Sequence, residues 1–142
     1  MSAVSVRAAN NDDFARIGEL RESLRSTMLT FRGGQSLWEE RHVTPDMHRS
    51  MIFVAEVSDY VVGYLLAIMR GTDLEIFEVH VDAEFRGIGA GDSLVAHAVA
   101  SATNDGATSV VADALPGDRD TKNLFERAGL VSQRLTMRRN LD

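Results

Sequence analysis

Cysteine is absent, and Pro45 and Pro116 are the only prolines. Without cysteine there is no disulfide framework, no Cys-ligated zinc or iron–sulfur centre and no thiol nucleophile. With two prolines and no Pro- or Ser-rich stretch, no linker divides the chain. Lysine is nearly missing as well. Lys122 is the only one among 15 basic side chains, so a Walker-type loop or a Schiff-base site has a single candidate. Basic residues are also outnumbered by 21 acidic ones, for a net charge of −6. That balance argues against nucleic-acid binding, which needs a basic footprint. Long apolar runs are lacking too. The longest, Val61 to Met69, is interrupted by Gly63 and is far short of the roughly 20 residues that span a bilayer. The start, MSAVSVRAANNDD, has no apolar core of the length a secretory signal needs. A soluble, cytoplasmic protein that does not engage membranes is the expectation.

What is present suits one domain over 1–142. Forty-four per cent of the residues are hydrophobic. A chain of this length buries about 68–70% of its unfolded surface, so it needs no covalent or metal staple. Val4 to Ala8 alternates like a short strand, and Asn11, Asp12 and Asp13 offer an N-cap and a negative first turn. Phe14, Ile17, Leu20, Leu24 and Met28 follow at helical spacing, which predicts a helix over about 12–28. A weaker helix runs through Leu37 to Arg41, and Thr44-Pro45-Asp46 begins a further turn. Met51–Val57, Val61–Met69 and Leu74–Asp82 read as an antiparallel meander with turns at Ser58-Asp59 and Arg70–Asp73. Leu94, Val95, Ala98, Val99 and Ala102 share one face of a helix ended by Asn104-Asp105-Gly106. A strand over 109–115, a helix over 118–127 stopped by Gly129, and a last strand over 130–141 complete the order. The fold class is α/β (α+β): a mixed, mostly antiparallel central sheet flanked by helices.

The most informative local feature is a strand, then Arg86-Gly87-Ile88-Gly89-Ala90-Gly91, then a helix. Glycines at these positions allow φ > 0 and close approach of a ligand to the backbone. The helix start adds unpaired N–H groups and partial positive charge, together an anion cradle. A Rossmann fingerprint would place its third glycine at Asp92, and a P-loop would need Gly-Lys-Ser/Thr, so neither nucleotide motif fits. A tight turn that binds nothing is the plain alternative.

The wider window, Val79 to Val95, closely resembles the acetyl-CoA motif of the GNAT superfamily of N-acetyltransferases. Arg86, Gly89 and Gly91 match its core pattern Arg/Gln-x-x-Gly-x-Gly/Ala. Phe53-Val54-Ala55-Glu56 and Val62-Gly63-Tyr64 resemble the family's second and third strands, and Thr121 to Leu130 its second conserved motif. The resemblance implies acetyl-CoA as cosubstrate, no metal, and transfer of acetyl to a primary amine by direct attack in a ternary complex. It implies that the main chain of Val79 and Val81 holds the pantetheine arm, and that the amides of Arg86, Gly87, Ile88, Gly89, Ala90 and Gly91 hold the pyrophosphate. Asn123 and Phe125 fall beside the cofactor. Lys122 or Arg119 could pair a cofactor phosphate.

Acyl transfer needs a free amine, and hence a proton acceptor. The candidates are Glu78, His80 and Glu75, with Asp113 as a further option. Strand alternation puts Glu78 and His80 on one face and Glu75 on the other, unless a bulge, expected from the family, resets the parity. A satisfied structural role is the alternative for each. Two departures from the family stand out. Phe125 occupies the place of a frequent Tyr general acid, so Tyr60, Tyr64, Ser132 or water would have to serve. Asp118 stands where an Asn often bonds the pantetheine arm. This leaves a catalytically weak acyl-CoA-binding or regulatory module as the alternative function. The acceptor, a small-molecule or peptide amine, would meet Arg32 to His48, which include Trp38, Glu39, Glu40, His42 and His48. Family resemblance also admits a homodimer, with the C-terminal strand pairing across the interface.

Overall fold

A computed structural model describes residues 3–42 and 50–141, of which His42 is described by its backbone alone. The expected turn at Thr44-Pro45-Asp46 and His48 lie outside the described residues.

The sheet begins with β1 (Ser5–Ala8). Its Arg7 donates to Glu56 and to Asp13 at 2.7 Å each, tying the strand to the start of the first helix. The cap sits one residue earlier than expected: Asn10 accepts from the Asp12 amide, and Asp13 reaches back to the Asn10 amide. That capping box closes a 3-10 turn over Asn11–Asp13 and leads into α1 (Phe14–Met28). The Arg7 hydrogen bond, with the Asn10 amide, holds the Asp13 carboxyl below its ordinary range despite burial. α2 (Gly34–His42) follows.

The meander forms as expected: β2 (Ser50–Val57), β3 (Tyr60–Arg70) and β4 (Asp73–Val81). Ser58 and Asp59 take φ of 51° and 66° in the two-residue β2–β3 turn, the twist-matched hairpin geometry that short polar residues tolerate. α3 (Ala90–Asn104) crosses to β5 (Ser109–Ala112), and α4 (Arg119–Arg127) is the last regular element among the described residues. Strand order is β1-β2-β3-β4-β5, antiparallel except for the parallel β4–β5 pair made by the α3 crossover.

The sheet carries a core on each face. Leu65, Leu74, Ile76, Leu94, Val95 and Phe125 pack under α3 and α4. Ile17, Leu20, Val54, Tyr64 and Leu66 pack under α1. Burial on both sides accounts for the near-continuous apolar run of β3.

Two expectations are overturned. Residues 131–141 form no strand; they carry no regular secondary structure, lie outside the sheet and are exposed. A period-2 pattern specifies an extended chain but not its partner, and this segment has none in its own sheet. The second correction concerns β4. Leu66 pairs with Glu78 and Ala67 with Ile76, so Phe77 is an inserted bulge residue. Pairs directly opposite share a face. Tyr64, Leu66 and Ile68 alternate on the α1 side, and their partners are His80, Glu78 and Glu75. All three candidate bases therefore share one face, and Glu75 is not set apart. Glu75 itself pairs with Arg70 at 3.4 Å, near the far end of the strand.

Candidate active site at the β4–β5 fork

The parallel partner β5 covers only Asp73–Ile76 of β4, so the edge of β4 opens from Phe77 onward. Peptide orientation along this edge is set by one bond. The Asp82 amide donates to the Val62 carbonyl at 2.8 Å, in continuation of the Gly63–Val81 register. Backbone groups alternate sides along a strand. Val79 and Val81 therefore direct their N–H and C=O away from β3, into the fork. Their side chains pack against the α3-side core, as the plain core reading of these residues has it. Arg86 Nε approaches the Val81 carbonyl at 3.4 Å.

The fork narrows to a cavity of about 40 Å³ whose lining includes Glu78, Val79, Arg41, Asp113, Leu115 and Phe125. Glu78 is 5% exposed. Its two oxygens accept from Tyr64 Oη at 2.6 Å and from Arg21 Nε and Nη2 at 2.9 and 3.0 Å. The Arg21 guanidinium lies over the Trp38 ring, 4.7 Å from its centroid. Burial, with the Glu78 charge second, pushes the Tyr64 hydroxyl far above its ordinary pKa, so it acts as a fixed donor.

His80 does not line this cavity. It is buried against α1, with Nε2 3.1 Å from Ser23 Oγ. Burial, followed by the nearby Arg86 charge, lowers its pKa to about 4, against a smaller opposing effect of Asp82. The ring is neutral at physiological pH.

Beyond β4, Asp82 accepts from the Glu84 amide and from Arg16 Nη2, which together lower its pKa. A 3-10 turn (Ala83–Phe85) leads into the glycine segment. Gly87 and Gly89 have φ of 85° and 84°, and a Cβ on either would meet nothing within 4 Å. Glycine is required there for backbone conformation, not for space. Gly89 is the N-cap of α3 and supplies no side-chain acceptor, so the first-turn amides keep their hydrogen-bonding capacity. Asp92 in that first turn is paired with Arg127 at 2.9 Å, which offsets its charge beside an anion cradle. Arg86 is half exposed, with Asp120 no nearer than 3.9 Å.

α4 forms the opposite wall. Asp118 is its N-cap, accepting from the Thr121 amide at 3.2 Å, so its carboxylate serves the helix. Phe125 is buried in the α3-side core and reaches the cavity. Asn123 is exposed, and Lys122 pairs with Glu126 at 3.5 Å on the outer face. Tyr60 is about half exposed on the far hairpin, against Phe85 and under Arg16. Neither Tyr60 nor Tyr64 lines the cavity that Phe125 reaches.

Two arginines complete the site that the sequence did not single out. Arg41 of α2 donates to the Phe77 carbonyl at 2.7 Å and the Ile76 carbonyl at 3.2 Å, stacks on the Phe77 ring and pairs with Asp113. It spans the point where β4 and β5 part. Arg21 has a visible signal: Ile17, Arg21, Leu24 and Met28 follow the inward stripe of α1, and an arginine there calls for a buried anion. On the outer side of Arg21 and Trp38, a cleft of about 690 Å³ lies between α1 and α2, with Glu22, Gln35 and Glu39 on its walls. Among the described residues, no group of acidic and histidine side chains has metal-site geometry, and no helix is long and apolar enough to cross a membrane.

The sequence profile described as the Acetyltransferase (GNAT) family matches residues 18–130. No curated protein sequence matches the chain. Among solved structures, the aminoglycoside N-acetyltransferase AAC(6')-Iy in complex with CoA aligns at TM-score 0.73 and 18% identity over 97% of this chain and 100% of that one. An aminoglycoside acetyltransferase from an uncultured soil metagenomic sample, in complex with sisomicin, aligns at 0.70 and 16% over 98% and 97%. A mutant of the BH1408 protein from Bacillus halodurans aligns at 0.77 and 16% over 96% and 99%. With the forked sheet, the glycine turn and a family match covering most of its length, this chain is an acyltransferase domain belonging to the GNAT acetyltransferase family.

Proposed function

We propose that this domain is an N-acetyltransferase that moves acetyl from acetyl-CoA to a primary amine by direct attack in a ternary complex. The observation that carries this reading is the open β4 edge, with the peptide groups of Val79 and Val81 turned into the fork and the glycine turn directly beyond it. Val79 and Val81 bind the pantetheine arm in strand fashion. The amides from Arg86 to Gly91 take the pyrophosphate, with the Arg86 side chain beside them. Phe125 and Asn123 flank the arm from α4.

Glu78 is the base in this proposal, because of the candidates on β4 it is the one that lines the cavity, and Asp113, which lines it too, is paired with Arg41. It draws an ammonium into the fork and takes its proton. The amine nitrogen then bonds to the thioester carbon, an amide from the open β4 edge near Val81 donates to the developing oxyanion, and the carbon–sulfur bond breaks. With Phe at position 125, the departing sulfur takes its proton from water. His80 acts from behind, as a positioning residue through Ser23 of α1.

The acceptor enters on the α1–α2 side, where Glu22 and Glu39 offer negative charge to a cation. Aminoglycoside acetylation by two structural neighbours supports a small-molecule amine over a peptide. A cytoplasmic setting and a homodimer accompany this reading.

The test is calorimetry with acetyl-CoA, followed by free-thiol release across an amine panel. Binding with amine-dependent thiol release is expected, and Glu78→Gln should lower turnover while retaining acetyl-CoA binding. Absence of acetyl-CoA binding at tens of micromolar would overturn the reading. Phe125, which brings a ring and no proton to the cavity, favours one second reading: an acyl-CoA-binding module with little catalysis. Binding without thiol release for any amine would select it.

A further inference from the structure

Among the described residues, no backbone carbonyl accepts from the amides of Arg86, Gly87, Ile88 or Gly89. Their direction is inherited from what flanks them: α3 on one side, and the turn Ala83–Phe85 on the other. Asp82 fastens that turn. Its amide continues the ladder to the Val62 carbonyl at 2.8 Å, and its carbonyl accepts from the Phe85 amide at 2.9 Å. Its Oδ1 accepts from the Glu84 amide at 3.0 Å.

The remaining oxygen is held from another element. Arg16 of α1 donates from Nη2 to Asp82 Oδ2 at 2.7 Å and from Nε to the Val61 carbonyl at 3.0 Å. The guanidinium lies over the Tyr60 ring, 4.8 Å from its centroid, and Tyr60 meets the Phe85 ring at 5.7 Å. One side chain therefore reaches the residue that opens the turn directly, and the residue that closes it through a single ring. The ion pair is largely shielded, with Arg16 19% and Asp82 23% exposed. Such a pair, with its partners fixed on both sides, holds geometry better than a free surface pair.

We propose that Arg16 is a positioning residue for the cofactor's phosphates: through Asp82 and Tyr60 it sets the turn that aims the amides of Arg86 to Gly91. α1 thereby serves the cofactor side of the sheet as well as packing on the opposite face. This inference rests on the acetyl-CoA reading of the glycine segment. It adds a residue outside that segment, on an element remote in sequence.

The probe is CoA itself, titrated by calorimetry, so neither an acceptor nor turnover is needed. Absence of CoA binding by the parent overturns the acetyl-transfer reading and this inference with it; once the parent binds, the variants judge this inference alone. Asp82→Asn keeps an oxygen for the Glu84 amide and removes the acceptor for Arg16. Arg16→Met removes the donor. Charge alone predicts opposite signs: loss of a carboxylate tightens an anionic ligand, and loss of a guanidinium weakens it. Positioning predicts that each raises the Kd for CoA, by about tenfold. Because the two act through one contact, the double variant should lose no more than about the larger single loss.

Arg7→Met is the control for stability. Arg7 donates to Asp13 and Glu56 at 2.7 Å each, but from β1, with β2 and β3 between it and β4. It should lower the urea midpoint and leave the Kd for CoA within about twofold of the parent. If Arg16→Met fails to fold, Arg16→Lys takes its place in the cycle and should weaken binding in the same direction, since one ammonium cannot span both Val61 and Asp82 as the guanidinium does. Tighter CoA binding by Asp82→Asn overturns the proposal, as do losses that multiply in the double variant. An equal loss of affinity in Arg7→Met overturns it too, because general loosening of α1 would then account for the effect.

Discussion

Tyr64 donates to Glu78 at 2.6 Å although the two are not opposite one another in the sheet. Glu78 faces Leu66 and Tyr64 faces His80, so the bond is diagonal. It places a hydroxyl on the carboxylate from the sheet side while Arg21 holds it from the helix side. Tyr64→Phe removes one of these donors and leaves the other. Urea unfolding should show a loss of about 1–2 kcal/mol. In the proposed mechanism the loss of one donor to Glu78 Oε1, which keeps Arg21 Nε, also changes kcat more than the KM for acetyl-CoA.

The pH dependence of stability follows from His80. Its folded pKa of about 4 lies below the unfolded value of 6.5. Between these values the unfolded chain binds a proton that the folded chain does not. Stability contributed by the neutral ring is therefore fully present above pH 6.5 and falls as pH drops toward 4, by at most about 3 kcal/mol. Urea midpoints measured from pH 7 to 4 should fall less steeply for His80→Gln than for the parent. In the kinetics, no limb of kcat/KM near 6.5 should belong to His80.

Two glycines make a matched pair of substitutions. Gly89 has φ of 84° at the start of α3, so Gly89→Ala should cost about 1 kcal/mol and distort the anion cradle. Calorimetry should show weaker acetyl-CoA binding, by about tenfold. Gly18 lies inside α1, where an added Cβ meets nothing within 4 Å. Gly18→Ala should stabilise by about 0.5–1 kcal/mol and leave acetyl-CoA affinity unchanged.

Arg41 holds the fork through two carbonyls and Asp113. Arg41→Ala should destabilise by about 1–3 kcal/mol and raise the KM for acetyl-CoA, because the wall facing Val79 loses its staple. Arg41→Lys should recover little, since a single ammonium cannot span three acceptors in the plane of a guanidinium. Thermal unfolding and initial rates at varied acetyl-CoA check both.

The glycine turn, the meander and α3 were legible in the sequence because each depends on neighbours in the chain. Residues 86–91 carry their own backbone requirement, and β2 to β4 alternate or run apolar within one short window. What escaped the sequence depends on distant partners. Arg41 acquires meaning only when α2 settles on β4, and Arg21, visible as an arginine in the inward stripe of α1, finds its partner Glu78 only in the fold. Residues 131–141 alternate like a strand in the sequence, yet they join no sheet. Simple alternation set Glu75 apart from Glu78 and His80; the bulge that the family resemblance allowed brings all three to one face, and Phe77 gives no local sign of being the inserted residue.

That insertion makes β4 a strand written in two frames. Counted from the β3–β4 turn, the residues beneath α3 are even-numbered through Ile76 and odd-numbered from Val79. An unbulged strand would have sent Glu78 and His80 into the apolar layer and turned Val79 and Val81 toward α1. Deletion of Phe77 itself would leave every remaining side chain on its present face. In an alignment of related chains, a one-residue gap between Ile76 and Val79 would therefore preserve the faces of Val79, His80 and Val81.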